Sequence, residues 1–458
     1  MKYISTRGQV KPVTFKDAVM MGMASDGGLL IPESFPDISG KLSEWRGLSF
    51  QELALEIFSL YISDIPRDDL KVLVDKSYAT FSDELITPTV KLSNVDILEL
   101  FHGPTLAFKD VALQFLGNLF EYILKERQGK LNILGATSGD TGSAAIQGVR
   151  GKDNINIFIM HPEGKTSPLQ ALQMTSVLDD NIYNISIDAS FDDCQNIMKE
   201  TFADLEFKEE YQLGAVNSVN WARILAQTVY YFHAWNQISD NGQKLNFSVP
   251  TGNFGDIFAG FIAKSMGLPI DKLILATNEN DILTRFFASG EYSRTGVNFT
   301  ISPAMDIQIA SNFERFLYFL LERDPDKVSQ LLNQFKSTGN MTVPEKYMKQ
   351  NDTFISASAG AKDTLATIKK YWEQEKYILD PHTAVGVSVA EQINSNIRTV
   401  CLSTAHPAKF PEAIISATGE DLASHPSLNA LKGAETRCQK LPNDINAIQK
   451  YLRENALR

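Results

Sequence analysis

Lys109 stands near the end of FHGPTLAFKD, residues 101–110, ahead of VALQFLGNLFEYILKE, whose spacing predicts a helix. Leu106, Leu113, Leu116 and Phe120 fall on one side of that coil, and Lys109 falls with them. A lysine at a helix start commonly lays its methylenes along apolar surface and keeps its charge in water. The alternative is an amine held neutral. Burial lowers a lysine's pKa, and a neutral amine condenses with an aldehyde to a Schiff base.

Four further segments carry polar and small residues where a ligand would need them. TGNFGD, residues 251–256, follows a strand-like run and opens a helix-like one. A helix start offers free N–H groups and the positive end of its dipole to an anion, and Gly252 and Gly255 let the backbone close around a phosphate. The motif is neither a Walker A loop nor GxGxxG, and a tight turn without a ligand fits it equally well. TSGDTG, residues 137–142, holds a similar place after LNILGA. The hydroxyls of Thr137, Ser138 and Thr141, with Gly139 and Gly142, suit a carboxylate held by backbone N–H groups. Asp140 is odd in an anion site and reads more plainly as a helix cap. In NSVNWAR, residues 217–223, Asn217 and Ser218 fall at an expected helix start, with Arg223 one and a half turns inside. They suit a second anion with arginine as the bidentate member, against the plainer reading of a capped helix with a surface ion pair. LSTAHPAKF, residues 402–410, ends a strand in hydroxyls. A hydroxyl there can hydrogen-bond an aromatic ring nitrogen without protonating it.

The elements that must position these residues alternate from residue 131 onward. LNILGA, INIFIMHP, NIYNISID, KLNFSVP and KLILAT read as strands, most of them followed by helices. That rhythm indicates an α/β fold, parallel sheets covered by helices, with ligands at the carboxyl ends of the strands. Both glycine-rich turns lie there. Residues 14–24 and 51–62 read as helices, VKLSNVDILELFHG holds two short strands, and residues 312–338 read as helical throughout with Pro325 as the break. A chain of 458 residues is long enough for two or three domains. The net charge of −12, without a basic patch, argues against a nucleic-acid partner. No apolar run approaches the roughly 20 residues of a membrane span, and MKYISTRGQVKP lacks an apolar signal core. A soluble, cytoplasmic protein without membrane contact is expected. Cys194, Cys401, Cys438 and the histidines make no metal-ligand spacing, so no metal is expected.

Together, YISTRG, FHGPTLAFKD, SGDTG, GNFGD and TAHPAKF resemble the threonine synthases, in the version typical of bacteria and fungi, over nearly the whole chain. These are pyridoxal-phosphate enzymes of the tryptophan-synthase-β-like family, fold type II. The resemblance implies parallel twisted sheets covered by helices. It implies an N-terminal α+β region at about 1–95, a lysine and substrate-loop domain at about 96–240, and, interleaved with it, a cofactor-phosphate domain with C-terminal helices at about 241–458. It implies pyridoxal 5′-phosphate as cofactor, with Lys109 as the Schiff-base lysine and the apolar face beside it as pocket wall. Gly252, Asn253, Phe254 and Gly255 match the cradle of the cofactor phosphate, with Asp256 flanking. Thr404, rather than Ser403, matches the partner of the ring nitrogen. Ser138, Gly139, Asp140 and Thr141 match the loop that holds the substrate carboxylate beside the cofactor's 3′ oxygen, with Thr137 as a further substrate contact. Some relatives carry Asn at the Asp140 position. Asn217, Ser218 and Arg223 match positions that grip the substrate's own phosphate.

The implied reaction takes O-phospho-L-homoserine and water to L-threonine and phosphate. Lys109 would remove the α proton and then a β proton, phosphate would leave the γ carbon, and water would add at the β carbon. Two rivals share these cofactor residues. One is a phospho-lyase giving 2-oxobutyrate and ammonia, and the other a ligand-binding relative without catalysis. A monomer or homodimer is expected.

Overall fold

The computed structural model describes residues 1–137, 139–240 and 242–458. Two sheets organise it. One has six strands in the order Phe354–Ser358, Ile270–Thr277, Leu245–Pro250, Thr399–Ser403, Asp96–Glu99, Thr89–Lys91. All its pairs are parallel except the last, an antiparallel edge. The other has five parallel strands in the order Gln439–Leu441, Ile182–Ile187, Ile155–Pro162, Leu131–Ala136, Leu213–Gly214. Every residue of Ile155–Pro162, Leu245–Pro250 and Thr399–Ser403 is buried, as in parallel strands covered on both faces. The strand and helix rhythm expected from residue 131 is present. The boundaries at 95 and 240 do not coincide with the sheets. Thr89–Lys91 pairs into the six-stranded sheet, and Gln439–Leu441 returns to the five-stranded one.

In the N-terminal region, Thr14 caps the helix Phe15–Met21, and a Ser49–Glu52 capping box starts the helix Phe50–Tyr61. Phe50 of that helix meets the ring of His233 edge-on at 5.3 Å, which seats it on the helix Trp221–Ile238. The stretch 312–338 is two helices, Phe313–Leu320 and Pro325–Thr338, with the expected break at Pro325. Glu322 and Arg323 make the break, both left-handed at φ 61°, and Pro325 starts the second helix, where its missing N–H costs nothing. No helix among the described residues is long and apolar enough to cross a membrane.

Lys109 is the first residue of the helix Lys109–Arg127. Leu106 does not belong to that helix, contrary to expectation. It lies in the turn before it at φ 60° and packs with Ala408 and Leu428. Nor is the helix apolar on one face only. Every residue from Asp110 to Phe120 is buried, so the helix runs through the interior. Lys109 is enclosed because it stands at the inner end of a buried helix. Its neighbour Asp140–Val149 crosses very closely. A Cβ on Gly117 would lie 1.9 Å from the Gly148 carbonyl oxygen, so only glycine permits the crossing.

Candidate active site

The turn before Lys109 is stitched to the end of strand Thr399–Ser403. Phe108 N–H donates to the Thr404 carbonyl at 2.8 Å, and His406 N–H donates to the Leu106 carbonyl at 3.0 Å. The Lys109 side chain is 12% exposed, with Nζ 3.6 Å from Asp140 Oδ2. Asp140 Oδ1 accepts from Lys409 Nζ and from Gln170 Nε2, both at 2.8 Å. Asp140 therefore does not cap a helix. It is the first residue of its own helix, and its carboxylate reaches across to the lysines.

Lys409 escaped the sequence reading. It is 1% exposed, and its Nζ also donates to the Thr105 carbonyl at 2.7 Å. The signal was present: a lysine in PAKF at a strand end, of the same kind that drew notice to Lys109. Burial pushes the Lys109 ammonium pKa down; Asp140 opposes this, while Lys409 and Arg223 reinforce it. Burial would push Asp140 up, but the charges of Lys409 and Lys109 outweigh that and hold it well below the usual carboxylate range. The site thus pairs an amine that binds its proton less tightly than a free lysine with a carboxylate held in its charged form.

Thr137 Oγ1 accepts from Gly139 N–H at 3.1 Å and from Gly142 N–H at 3.2 Å, so this hydroxyl shapes the loop. Ser138 lies outside the described residues. Gly139 precedes the helix and half-buried Thr141 is its second residue. At the other strand end, Ser403 Oγ is 3.0 Å from Thr383 Oγ1, which in turn donates to Asp380 Oδ2. Ser403 is thereby engaged with the helix Pro381–Ile393, an element the sequence reading passed over. Thr404 follows the strand and is buried.

Gly252 sits where a Cβ would meet the Ala304 carbonyl oxygen at 2.7 Å. Phe254 is left-handed at φ 65°, a conformation costing on the order of 1–3 kcal/mol. Its ring is held by Phe313 and Phe316, with centroids at 5.4 and 5.7 Å. The helix Gly255–Ser265 then begins, and the Asn253 carbonyl is fixed by Asn312 N and Nδ2 at 3.0 and 3.2 Å. Overpacking costs about 1–3 kcal/mol, so Gly252→Ala, by shifting the turn, should weaken cofactor binding by about fivefold to a hundredfold. Titration of the cofactor-free protein checks this, and unchanged affinity would place the phosphate elsewhere.

Asp256 turns its carboxyl away from the cradle. Oδ1 accepts from Tyr230 and Tyr231 hydroxyls at 2.5 and 3.1 Å. Burial pushes this carboxyl up to about 7 although both tyrosines oppose it, which limits negative charge beneath an anion site. The folded pKa lies above the unfolded one, so the stability this group contributes is present at pH 4 and lost as pH rises to about 7. Asp256→Asn should flatten the fall in melting temperature between about pH 4 and pH 7. An unchanged slope would show that Asp256 titrates normally.

The helix carrying Arg223 starts at Trp221, with Asn220 as its cap, later than expected. Arg223 is thus in the first turn, and Asn217 and Ser218 precede the helix. Asn217 Oδ1 accepts from Val219 N–H at 3.2 Å. Ser218 Oγ lies 2.6 Å from Ser311 Oγ, which donates to Asn253 Oδ1 at 3.3 Å, so this turn adjoins the GNFGD turn. Arg223 is not a surface residue in an ion pair. It is 4% exposed, and its Nε and Nη1 have no partner among the described residues. Burial lowers its pKa to about 10, which leaves it a cation at neutral pH.

A glycine-closed cradle at a helix start, a weakly basic enclosed amine and a strand-end hydroxyl fit pyridoxal phosphate at its phosphate, aldehyde and ring nitrogen. Comparison with known proteins bears on the same point. Residues 2–78 match the model "Threonine synthase N terminus", 83–404 "Pyridoxal-phosphate dependent enzyme", and 383–452 "Threonine synthase, C-terminal". A threonine synthase of Pseudomonas aeruginosa is 45% identical over 465 residues, covering 100% of this chain and 99% of that one. The crystal structure of PLP-bound threonine synthase from Brucella melitensis superposes with TM-score 0.98 at 44% identity, covering both chains fully. Yeast threonine synthase gives 0.95 at 43% identity, covering 99% of this chain and 98% of that one. The chain belongs to the threonine synthase family of pyridoxal-phosphate-dependent, fold type II enzymes.

Proposed function

We propose that the chain converts O-phospho-L-homoserine and water to L-threonine and phosphate, using the residues assembled around Lys109. The observation that carries the reading is Arg223. An enclosed guanidinium without a counter-ion costs on the order of several kcal/mol, and an incoming anion offsets that cost. Its charge bears on Lys109, so the anion it receives sits near the reacting amine. A phosphate ester of an amino acid supplies both ends.

Bound pyridoxal phosphate supplies the electron sink that acidifies the substrate's α and β carbons. The turn Gly252–Gly255 holds the cofactor phosphate, Lys109 is the amine that meets its aldehyde, and the Thr404 hydroxyl contacts its ring nitrogen. Thr137, Gly139 and Thr141 would border the substrate carboxylate, and Asp140 the cofactor's 3′ oxygen. Once substrate is bound, the free Lys109 amine would take the α proton, give it up again, and then take a β proton. Its lowered hold on a proton suits both steps. Arg223, Asn217 and Ser218 bind the substrate phosphate and stabilise the charge that grows on it as the bond to the γ carbon breaks. Incubation with O-phosphohomoserine should release threonine and phosphate in equal amounts. Phosphate accompanied by 2-oxobutyrate and ammonia would replace this reading with the phospho-lyase one.

A further inference from the structure

Lys409 has no part in the reaction as described, yet it is a fully enclosed cation bonded to the carboxylate beside Lys109. Its position is fixed from behind. The Thr105 carbonyl that accepts from Lys409 Nζ also accepts from Gln173 Nε2 at 3.2 Å. Thr105 itself is pinned to Asp110, its N–H at 2.8 Å and its hydroxyl at 2.7 Å. In front, Lys409 and Gln170 both occupy Oδ1 of Asp140, which leaves Oδ2 turned toward Lys109 at 3.6 Å.

We infer that Lys409 is a positioning residue that makes Asp140 act toward Lys109 as an oxygen acceptor without net charge. Its ammonium cancels the carboxylate, and its fixed place decides which oxygen faces the amine. The inference rests on Lys109 being the reacting amine. A bare carboxylate this close in a poorly solvated site would keep Lys109 protonated, and a protonated amine neither joins an aldehyde nor removes a proton. Cancelling that field without removing the acceptor solves the problem. The other charges are accounted for. Lys109 faces Asp140, Lys409 and Arg223. Asp140 also faces His382, and Lys409 also faces Asp110. Burial raises the Asp110 carboxyl to about 6, although its bonds from Thr105 oppose this, so it is a weak competitor for the Lys409 charge.

The test reads proton affinity directly. In the cofactor-free full-length chain, acetylation of Lys109 by acetic anhydride is followed against pH by peptide mass spectrometry. Lys409→Met leaves Asp140 unpaired, so the midpoint should rise by about one pH unit, with labelling about tenfold slower below it. Asp140→Asn leaves Lys409 unpaired, so the midpoint should fall by about as much. The double variant Asp140→Asn/Lys409→Met should return close to wild type, and Lys409→Arg should stay there. In the holoenzyme, the pH at which the cofactor's visible band changes should follow the same order. Single variants that shift the midpoint in the same direction, or a double no closer to wild type than the worse single, would overturn the inference. If Lys409→Met does not fold, the midpoints of Asp140→Asn, Lys409→Arg and the double decide it. Reduction of the holoenzyme that fixes the cofactor on a different lysine would overturn the assignment of Lys109 and leave these midpoints as they are.

Discussion

Lys109→Ala is expected to abolish turnover while the fold survives. General acid–base catalysis alone contributes about 10²–10⁴-fold, and this amine is also the one proposed to bond the cofactor, so a loss of at least about a thousandfold should follow. Lys409 cannot take over, because Thr105 and Asp140 hold its ammonium in place. Folding should tolerate the change for the same reason. Asp140 keeps Lys409 as its counter-ion, so the truncation strands no buried charge. The circular dichroism spectrum and melting temperature of the apo-protein should stay near wild type. Borohydride reduction of the wild-type holoenzyme, followed by peptide mapping, should find the cofactor on Lys109. A label on any other lysine would refute the assignment.

Arg223→Ala should cut kcat/KM for O-phosphohomoserine without bleaching the cofactor. A charge-assisted contact is worth roughly 1.5–3 kcal/mol, or about ten- to more than a hundredfold. The substrate phosphate gains charge as it leaves, which places the loss at or above the lower end of that range. Slow side reactions with serine or threonine, which carry no phosphate, should change much less. Arg223→Lys should recover only part of the loss, since lysine keeps the charge but not the planar fork. The variant should not lose stability, because Nε and Nη1 have no described partners to abandon. Equal losses on phosphorylated and unphosphorylated substrates would remove Arg223 from the phosphate site.

What could be read from sequence was local. Strand, glycine turn and helix follow one another within about twenty residues in LNILGATSGDTGSAAIQGVRG and in KLNFSVPTGNFGDIFAGFIAKSMG, and both appear where expected. Lys109 was legible because an ammonium in an apolar run is conspicuous. Leu106 misled because helical spacing continues past a helix start that left-handed backbone at that residue sets. The true start of the Arg223 helix turned on Asn220, one of two asparagines in NSVN able to cap it. Lys409 was missed because its meaning lies in Thr105, 304 positions earlier, and in Asp140. The strand Gln439–Leu441 is three residues long, too short for periodicity to mark, and its pairing partner precedes it by some 250 residues.

The order of strands in the six-stranded sheet has a consequence for synthesis of the chain. Thr399–Ser403 lies between Asp96–Glu99 and Leu245–Pro250, so each of those strands lacks its neighbour on that side until it has been made. About 150 residues separate Pro250 from Thr399, roughly 7 to 30 seconds of translation at 5–20 residues per second. Throughout that interval two buried-type strand edges stand open to other chains. The five-stranded sheet, by contrast, has four of its strands by residue 214. The half of the protein that carries Asp140 can therefore be shaped early, while Thr404 and Lys409 arrive only with the last tenth or so of the chain. If Thr404 contacts the cofactor as proposed, cofactor capture is a late event of biogenesis, and nascent chains stalled before residue 399 carry these open edges.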